Sequence, residues 1–253
     1  MNLALLLTLL VGLFILIGTI IGRIFKNNKS ILDFSISMAF GVIISLAILE
    51  LFPEILESLV LSLHFKGIIY SVLGMVMGFL LLVQLDKLIP HHESTNHHHH
   101  HKNSNCLNEH LKHIGIVTSV ALILHNIIEG MSLYVAATAE LKVGLLLCIG
   151  IGLHNLPMGF MIESTLHNEY SLKKIIMISL IISLSTFIGG LIAYSIHTNE
   201  MVMGLLLSIT FGMLIYISFI ELVPQIIHIK NNKIKYIGVL SGVVILIISL
   251  IFG

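Results

Sequence analysis

The chain has 253 residues, of which 57% are hydrophobic and only 10% are charged, and its mean hydropathy is +1.04. Soluble domains carry about 25% charged residues, so this composition excludes a soluble globular protein. Lysine plus arginine and aspartate plus glutamate number 13 each, which leaves no basic surplus for binding nucleic acid. Histidine, at 15, outnumbers either charged class. The composition therefore predicts an integral membrane protein that is rich in imidazole.

Apolar runs long enough to cross a bilayer, which takes about 20 residues in a helix, recur along the whole sequence. They lie near 3–24, 33–55, 67–88, 114–138, 143–166, 173–196, 201–227 and 235–252. We therefore predict an all-α integral membrane protein with eight transmembrane helices in a single domain over residues 1–253. An even number of spans places both termini on the same side of the membrane.

The cations indicate which side that is. With the termini outside, the inner loops hold eleven of the 13 lysines and arginines, and the outer loops hold only Lys66 and Lys142. Loops on the cytoplasmic side of membrane proteins are enriched in lysine and arginine. The sequence therefore predicts a multi-pass cell-membrane protein with extracytoplasmic termini.

Residues 89–113 differ from the rest in composition. This stretch reads IPHHESTNHHHHHKNSNCLNEHLKH and carries nine of the fifteen histidines. A polar, low-complexity segment of this length cannot bury a core, so we predict a flexible loop, which the orientation places in the cytoplasm. Its imidazoles would bind zinc weakly and reversibly, as a metal buffer or feedback sensor.

Two distant segments share a pattern. FGVIISLAILELFPEI (40–55) and FGMLIYISFIELVPQI (211–226) both begin with Phe-Gly and both contain Glu-Leu-x-Pro in the same register. Because the second and seventh spans run in opposite directions, the echo predicts inverted repeats, a pattern typical of transporters. Glu50 and Glu221 occupy echoed positions. We expect them to pass a cation as weak ligands at the two ends of a pathway; interfacial charge at helix ends is the alternative.

Polar residues interrupt the fourth and fifth spans, where lipid disfavours them. The fourth contains His125, Asn126 and Glu129, and the fifth contains His154 and Asn155. An ionisable group near mid-bilayer costs about 2.5–3.5 kcal/mol on insertion scales, so it normally faces a cavity or a partner. His125 and Glu129 are four residues apart and share a helix face, which forms half of a site for a divalent cation such as zinc. Interhelical hydrogen bonding is the alternative.

The motifs resemble those of a known family. HNIIEG (125–130), HNLPMG (154–159) and GMLIYISFIELVPQ (212–225) are similar to the fourth, fifth and seventh helices of the ZIP (Zrt-, Irt-like protein) metal transporters. The resemblance implies alternating-access import of divalent metal, chiefly Zn²⁺ and also Fe²⁺, Mn²⁺, Co²⁺ or Cd²⁺, into the cytoplasm. It implies that the metal is cargo, that no resident cofactor is needed and that the protein is not an enzyme.

The family's site residues map onto five positions here. The resemblance implies that His125, Glu129 and His154 bind the transported metal, and that Asn126 and Asn155 lie at the positions of a second, adjacent metal.

Two departures from the family pattern bear on the number of metals. Met158 stands where the family usually has a carboxylate, and Ser185 and Thr186 stand where its sixth helix often has an acid. We therefore predict a single metal, with water or Met158 as its fourth neighbour. The thioether of Met158 either widens the range of metals or serves only in packing.

Other functions remain open at this point. An intramembrane zinc-dependent hydrolase would use Glu129 as general base, although that leaves two histidines without a clear third ligand. A metal-gated receptor or a cation/proton exchanger is the second alternative. The predicted partners are divalent metal ions and the lipid bilayer, with no nucleic acid, and a homodimer is among the assemblies that the sequence allows.

Overall fold

The computed structural model describes residues 2–25, 28–88, 103–196 and 200–252. Within these ranges the chain contains no β-strand, and eight helices are long and apolar enough to cross a membrane. They are α1 (Leu3–Phe25), α2 (Lys29–Leu61), α3 (Phe65–Leu88), α4 (Asn103–Ala139), α5 (Leu141–Leu166), α6 (Leu172–Ser195), α7 (200–228) and α8 (Asn232–Phe252). Each predicted span corresponds to one of these helices, which confirms the all-α membrane fold.

The start of α4 differs from expectation. The backbone is helical from residue 103, so the last part of the segment expected to be a flexible loop, residues 103–113, continues the helix. This stretch contains neither glycine nor proline, and a helix that is already nucleated extends at little cost into such sequence. Residues 89–102 of the His-rich segment lie outside the described residues.

The two echoed segments share a backbone irregularity. The helix widens into a π-helical turn at Ala47–Leu51 in α2 and at Ile217–Leu222 in α7. Each turn lies just before a proline, Pro53 or Pro224, which lacks the N–H of a regular helix and whose ring would clash with the carbonyl four residues earlier. A local i→i+5 turn accommodates such a residue within a continuous helix. The sequence echo is therefore also an echo of local structure.

Helix pairing divides the bundle into two groups. In the first group, α1 packs on α5 and α4 packs on α6; in the second, α2 packs on α8 and α3 packs on α7. In an inverted repeat, α1, α2 and α3 correspond to α6, α7 and α8, and α4 corresponds to α5. Under this correspondence the pair α1–α5 becomes α6–α4, and the pair α2–α8 becomes α7–α3. The packing therefore follows the repeat that the sequence predicts. We call α1, α4, α5 and α6 the site group, and α2, α3, α7 and α8 the second group.

Each pair crosses at two glycines. A Cβ added at Gly18 of α1 would overlap the carbonyl of Leu156, and one added at Gly159 of α5 would overlap the carbonyl of Ile15. The same reciprocal contact occurs at Gly130 with Gly189, at Gly41 with Gly242, and at Gly78 with Gly212. Small residues let helix backbones approach closely in a membrane, where apolar burial supplies little attraction between helices. Glycine therefore fixes the crossing point of all four pairs.

Candidate metal site

Three ionisable side chains meet where α4 and α5 face each other. His125 and Glu129 lie one turn apart on the same face of α4, and His154 lies on α5. One ligand atom from each residue lies within 4.8 Å of the others, and all three side chains are buried. We call these residues the His/Glu cluster. The structure thus brings together the three residues that the motifs single out.

Glu129 is the centre of the cluster. Its Oε1 lies 2.7 Å from Nε2 of His154 and 3.6 Å from Nε2 of His125, and that nitrogen of His125 has no hydrogen-bond partner. Two imidazole nitrogens and a carboxylate oxygen are ligands that zinc accepts, at about 2.0–2.2 Å. Ligand atoms around a tetrahedral zinc are then about 3.4 Å apart. An ion that replaced the His154–Glu129 hydrogen bond would therefore require the two ligand atoms to move apart only from 2.7 Å to about 3.4 Å.

The two asparagines have different neighbours. The Nδ2 of Asn155 donates to Oε2 of Glu129 at 3.5 Å, whereas the Nδ2 of Asn126 donates to the carbonyl of Ile182 on α6 at 3.2 Å. Both amide oxygens are buried without a hydrogen-bond partner. Asn155 therefore supports the cluster directly, while Asn126 joins α4 to α6.

Uncharged side chains occupy the neighbouring part of α6. Ser185 and Thr186 are buried there, and Ser185 donates to the carbonyl of Ile182. Among the residues that the structure describes, the His/Glu cluster is the one group of three or more His, Cys, Asp or Glu with metal-ligand spacing.

Met158 is fully buried in the apolar core one turn beyond His154, and it is absent from the described lining of the adjacent cavity.

A cavity of about 260 Å³ is lined by His125 and Glu129 of the His/Glu cluster and by Glu50. Glu54, Leu147 and Leu250 also line it, so it runs from the cluster toward the end of the bundle that holds both chain termini. We call this end the termini face. One carboxylate oxygen of Glu50 is buried without a hydrogen-bond partner.

Glu221, the echoed counterpart of Glu50, lies elsewhere. It is buried near the opposite end of α7, close to Asp86 of α3, and it does not line the cavity. The inverted repeat therefore places two equivalent carboxylates at opposite ends of the bundle, and only one of them faces the cluster in this arrangement.

Sequence reasoning missed two contacts. The Oγ of Ser249 on α8 lies 3.4 Å from Nδ1 of His154. The buried Glu163 of α5 forms an ion pair with Arg23 of α1 at 3.0 Å. A single serine in an apolar run carries no signal in the sequence. The Arg23–Glu163 pair could have been suspected, because the two residues carry opposite charges at the same end of their spans.

A helical multi-pass membrane protein in which side chains that could hold a metal ion are buried between the helices falls in the class of cation-handling membrane proteins. A family model described as "ZIP Zinc transporter" matches residues 90–250, more than half of the sequence. The chain belongs to the ZIP zinc transporter family, which confirms the resemblance that its motifs indicate. This is a family of transporters and not of enzymes.

Relatives share this similarity over nearly their whole length. "Zinc transporter ZupT" of Streptococcus mutans serotype c is 28% identical over 254 residues, covering 98% of this chain and 96% of the relative. The protein of the same description from Clostridium perfringens is 29% identical over 270 residues, covering 98% and 95%. That of Enterobacter sp. (strain 638) is 28% identical over 259 residues, covering 99% and 97%.

Proposed function

We propose that this protein imports Zn²⁺ into the cytoplasm and that His125, Glu129 and His154 bind the ion during transit. The observation that carries the proposal is a buried cluster of two imidazoles and a carboxylate at a membrane-embedded cavity. Burying such groups in the hydrocarbon region is costly unless a function requires them. Relatives described as zinc transporters support zinc as the cargo. Fe²⁺, Mn²⁺, Co²⁺ and Cd²⁺ accept the same ligand types and are proposed as further cargo.

We propose that the site holds one metal. A second ion beside the first would need another negative ligand, and the neighbouring positions on α5 and α6 are Met158, Ser185 and Thr186. Asn126 and Asn155 offer only neutral oxygens there. Water is the proposed fourth neighbour of the ion, because the thioether of Met158 packs in the apolar core.

Alternating access would move the site group against the second group. Polar contacts hold the site group together: Thr19 of α1 bonds both the carbonyl of Gly159 on α5, at 3.2 Å, and the hydroxyl of Ser179 on α6, at 2.8 Å. Asn126 and the Arg23–Glu163 pair add further bonds within the same group. These contacts favour motion of the site group as one body, carrying the ion past α2 and α7.

The proposed orientation in the cell membrane has both termini outside. It rests on the distribution of cations, since Arg23, Lys87 and Lys173 lie at helix ends on the face opposite the termini. The cavity would then open to the outside, with Glu50 attracting cations toward the cluster and Glu221 acting on the cytoplasmic side. The His-rich segment would lie in the cytoplasm as a metal buffer.

The hydrolase alternative receives less support. A zinc hydrolase needs three ligands and a separate base, whereas Glu129, which lies near both histidines, would be needed as the third ligand. We therefore propose transport without catalysis, with divalent metal and lipid as partners, no nucleic acid and no resident cofactor. A homodimer remains a proposal.

Zinc uptake into proteoliposomes tests the proposal. We expect the protein to admit ⁶⁵Zn²⁺ and His125→Ala to abolish this uptake, because the variant removes a ligand that no neighbour replaces. His64→Asn is the matched control, since His64 is exposed at a turn with positive φ, which asparagine also tolerates. Zinc binding without any uptake by the wild-type protein would refute the import proposal.

A further inference from the structure

We infer that Ser249 is a positioning residue for zinc, which holds the ring of His154 with Nε2 directed at the metal. The inference rests on the proposed function, since it concerns the same site. Ser249 is buried on α8, lines the cavity beside the cluster, and places its Oγ 3.4 Å from Nδ1 of His154. It lies in an apolar stretch that none of the transporter motifs includes.

The chemistry of imidazole explains the need for such a partner. The Nε2 of His154 faces Glu129 at 2.7 Å, so Nε2 is the nitrogen that can ligate an ion held by the cluster. A neutral imidazole that ligates through Nε2 carries its proton on Nδ1, and a metal-bound histidine normally donates this proton to an acceptor. The hydroxyl of Ser249 would be that acceptor once an ion takes the place of the His154–Glu129 hydrogen bond. Because a hydroxyl can donate as well as accept, Ser249 holds the orientation of the ring in either tautomer.

The backbones of α5 and α8 lie close together at this contact. A Cβ at Gly150 of α5, one turn before His154, would lie against the carbonyl of Ser249, so the glycine lets α8 approach closely. The contact also joins the two helix groups, because His154 belongs to the site group and Ser249 to the second group. The geometry of one zinc ligand therefore depends on how the second group packs against α5.

A serine elsewhere on α8 provides the comparison. The hydroxyl of Ser241 donates to the carbonyl of Gly238 in its own helix at 2.7 Å, as serines in membrane helices commonly do. Replacing Ser241 by alanine removes the same atom from the same helix without touching His154. Ser241→Ala is thus the matched control for Ser249→Ala, and Ser249→Thr keeps the hydroxyl.

The experiment measures zinc binding and uptake for these variants in the full-length protein. For Ser249→Ala we expect the Kd for zinc and the KM for uptake to rise about tenfold with little change in the maximal rate, as for loss of an outer hydrogen bond to a ligand histidine. Ser249→Thr and Ser241→Ala should match the wild type. The visible absorption of bound Co²⁺ should change in Ser249→Ala alone, since that spectrum reports ligand geometry.

Two results would overturn the inference. One is an unchanged Kd and Co²⁺ spectrum in Ser249→Ala; the other is a loss in Ser249→Thr equal to that in Ser249→Ala, which would indicate packing. These outcomes can be distinguished from a failure of the import proposal. If the wild-type protein binds zinc without transporting it, the import proposal is refuted. The Kd for zinc can still be compared between the wild type and Ser249→Ala, and this comparison decides the role of Ser249.

Discussion

Glu129 Oε1 and His154 Nε2 lie 2.7 Å apart across the contact between α4 and α5, with both side chains almost fully withdrawn from solvent. This hydrogen bond joins the two helices that carry the paired His-Asn motifs. It occupies the space in which a metal would be shared by the same two atoms. The cluster is therefore held near its ligating geometry before any ion arrives, which lowers the cost of organising the site.

Glu129→Gln should remove zinc binding while leaving the fold intact. Glutamine keeps the shape of the side chain, but two neutral imidazoles and an amide leave the full charge of the ion uncompensated in the membrane. We expect the affinity for zinc to fall about 100-fold or more and ⁶⁵Zn²⁺ uptake to disappear. Glu140→Gln, at an exposed position between α4 and α5, is the control. A Kd for zinc within twofold of the wild type would show that Glu129 is not a ligand.

Glu50→Gln should affect capture of the ion more than its transfer. Glu50 lines the cavity beside the cluster but is not part of it, so in its ionised form it raises the local concentration of cations. We expect the KM for zinc uptake to rise about three- to tenfold at low salt, with a nearly unchanged maximal rate. Glu221→Gln is the comparison, because this echoed residue lies away from the cavity. An equal rise in KM for both variants would contradict the separate roles.

Gly78→Leu should destabilise the bundle at a position remote from the cluster. A side chain at Gly78 would overlap the carbonyl of Ile209 and force α3 away from α7. Overpacking of this kind costs about 1–3 kcal/mol, so we expect a lower Tm in detergent. Val76→Leu, on the exposed side of α3, adds volume without a clash and is the control. Equal Tm values for the two variants would show that the crossing is not tightly packed.

Deletion of residues 91–102 should leave a protein that transports zinc and binds one ion per chain. This deletion removes most of the imidazole tract and retains the helical residues 103–113. We expect basal uptake close to that of the full-length protein, because the His/Glu cluster is unchanged. Equilibrium dialysis of the shortened protein measures the stoichiometry. Two tightly bound ions would contradict the single-metal site, and loss of uptake would contradict the buffer role.

Much of this arrangement is predictable from local sequence. Length and apolarity identify each span, because a helix must satisfy its own backbone groups in lipid and needs about 20 residues to cross. His125 and Glu129 stand out for the same reason: charge within such a run is costly wherever the helix packs. The echo of Glu50 with Glu221 predicts the inverted repeat, and the pairing of the helices follows that repeat.

The partners of these residues were decided by tertiary structure. Ser249 resembles any serine of a membrane helix until α8 packs on α5, because a hydroxyl can always bond a carbonyl of its own helix. Glu50 and Glu221 are equivalent in sequence, yet the relative position of the two helix groups leaves only Glu50 facing the cluster. Local sequence identifies which residues are costly to bury. The packing of the helices establishes which of them meet, because contacts between distant segments depend on how separate helices come together in three dimensions.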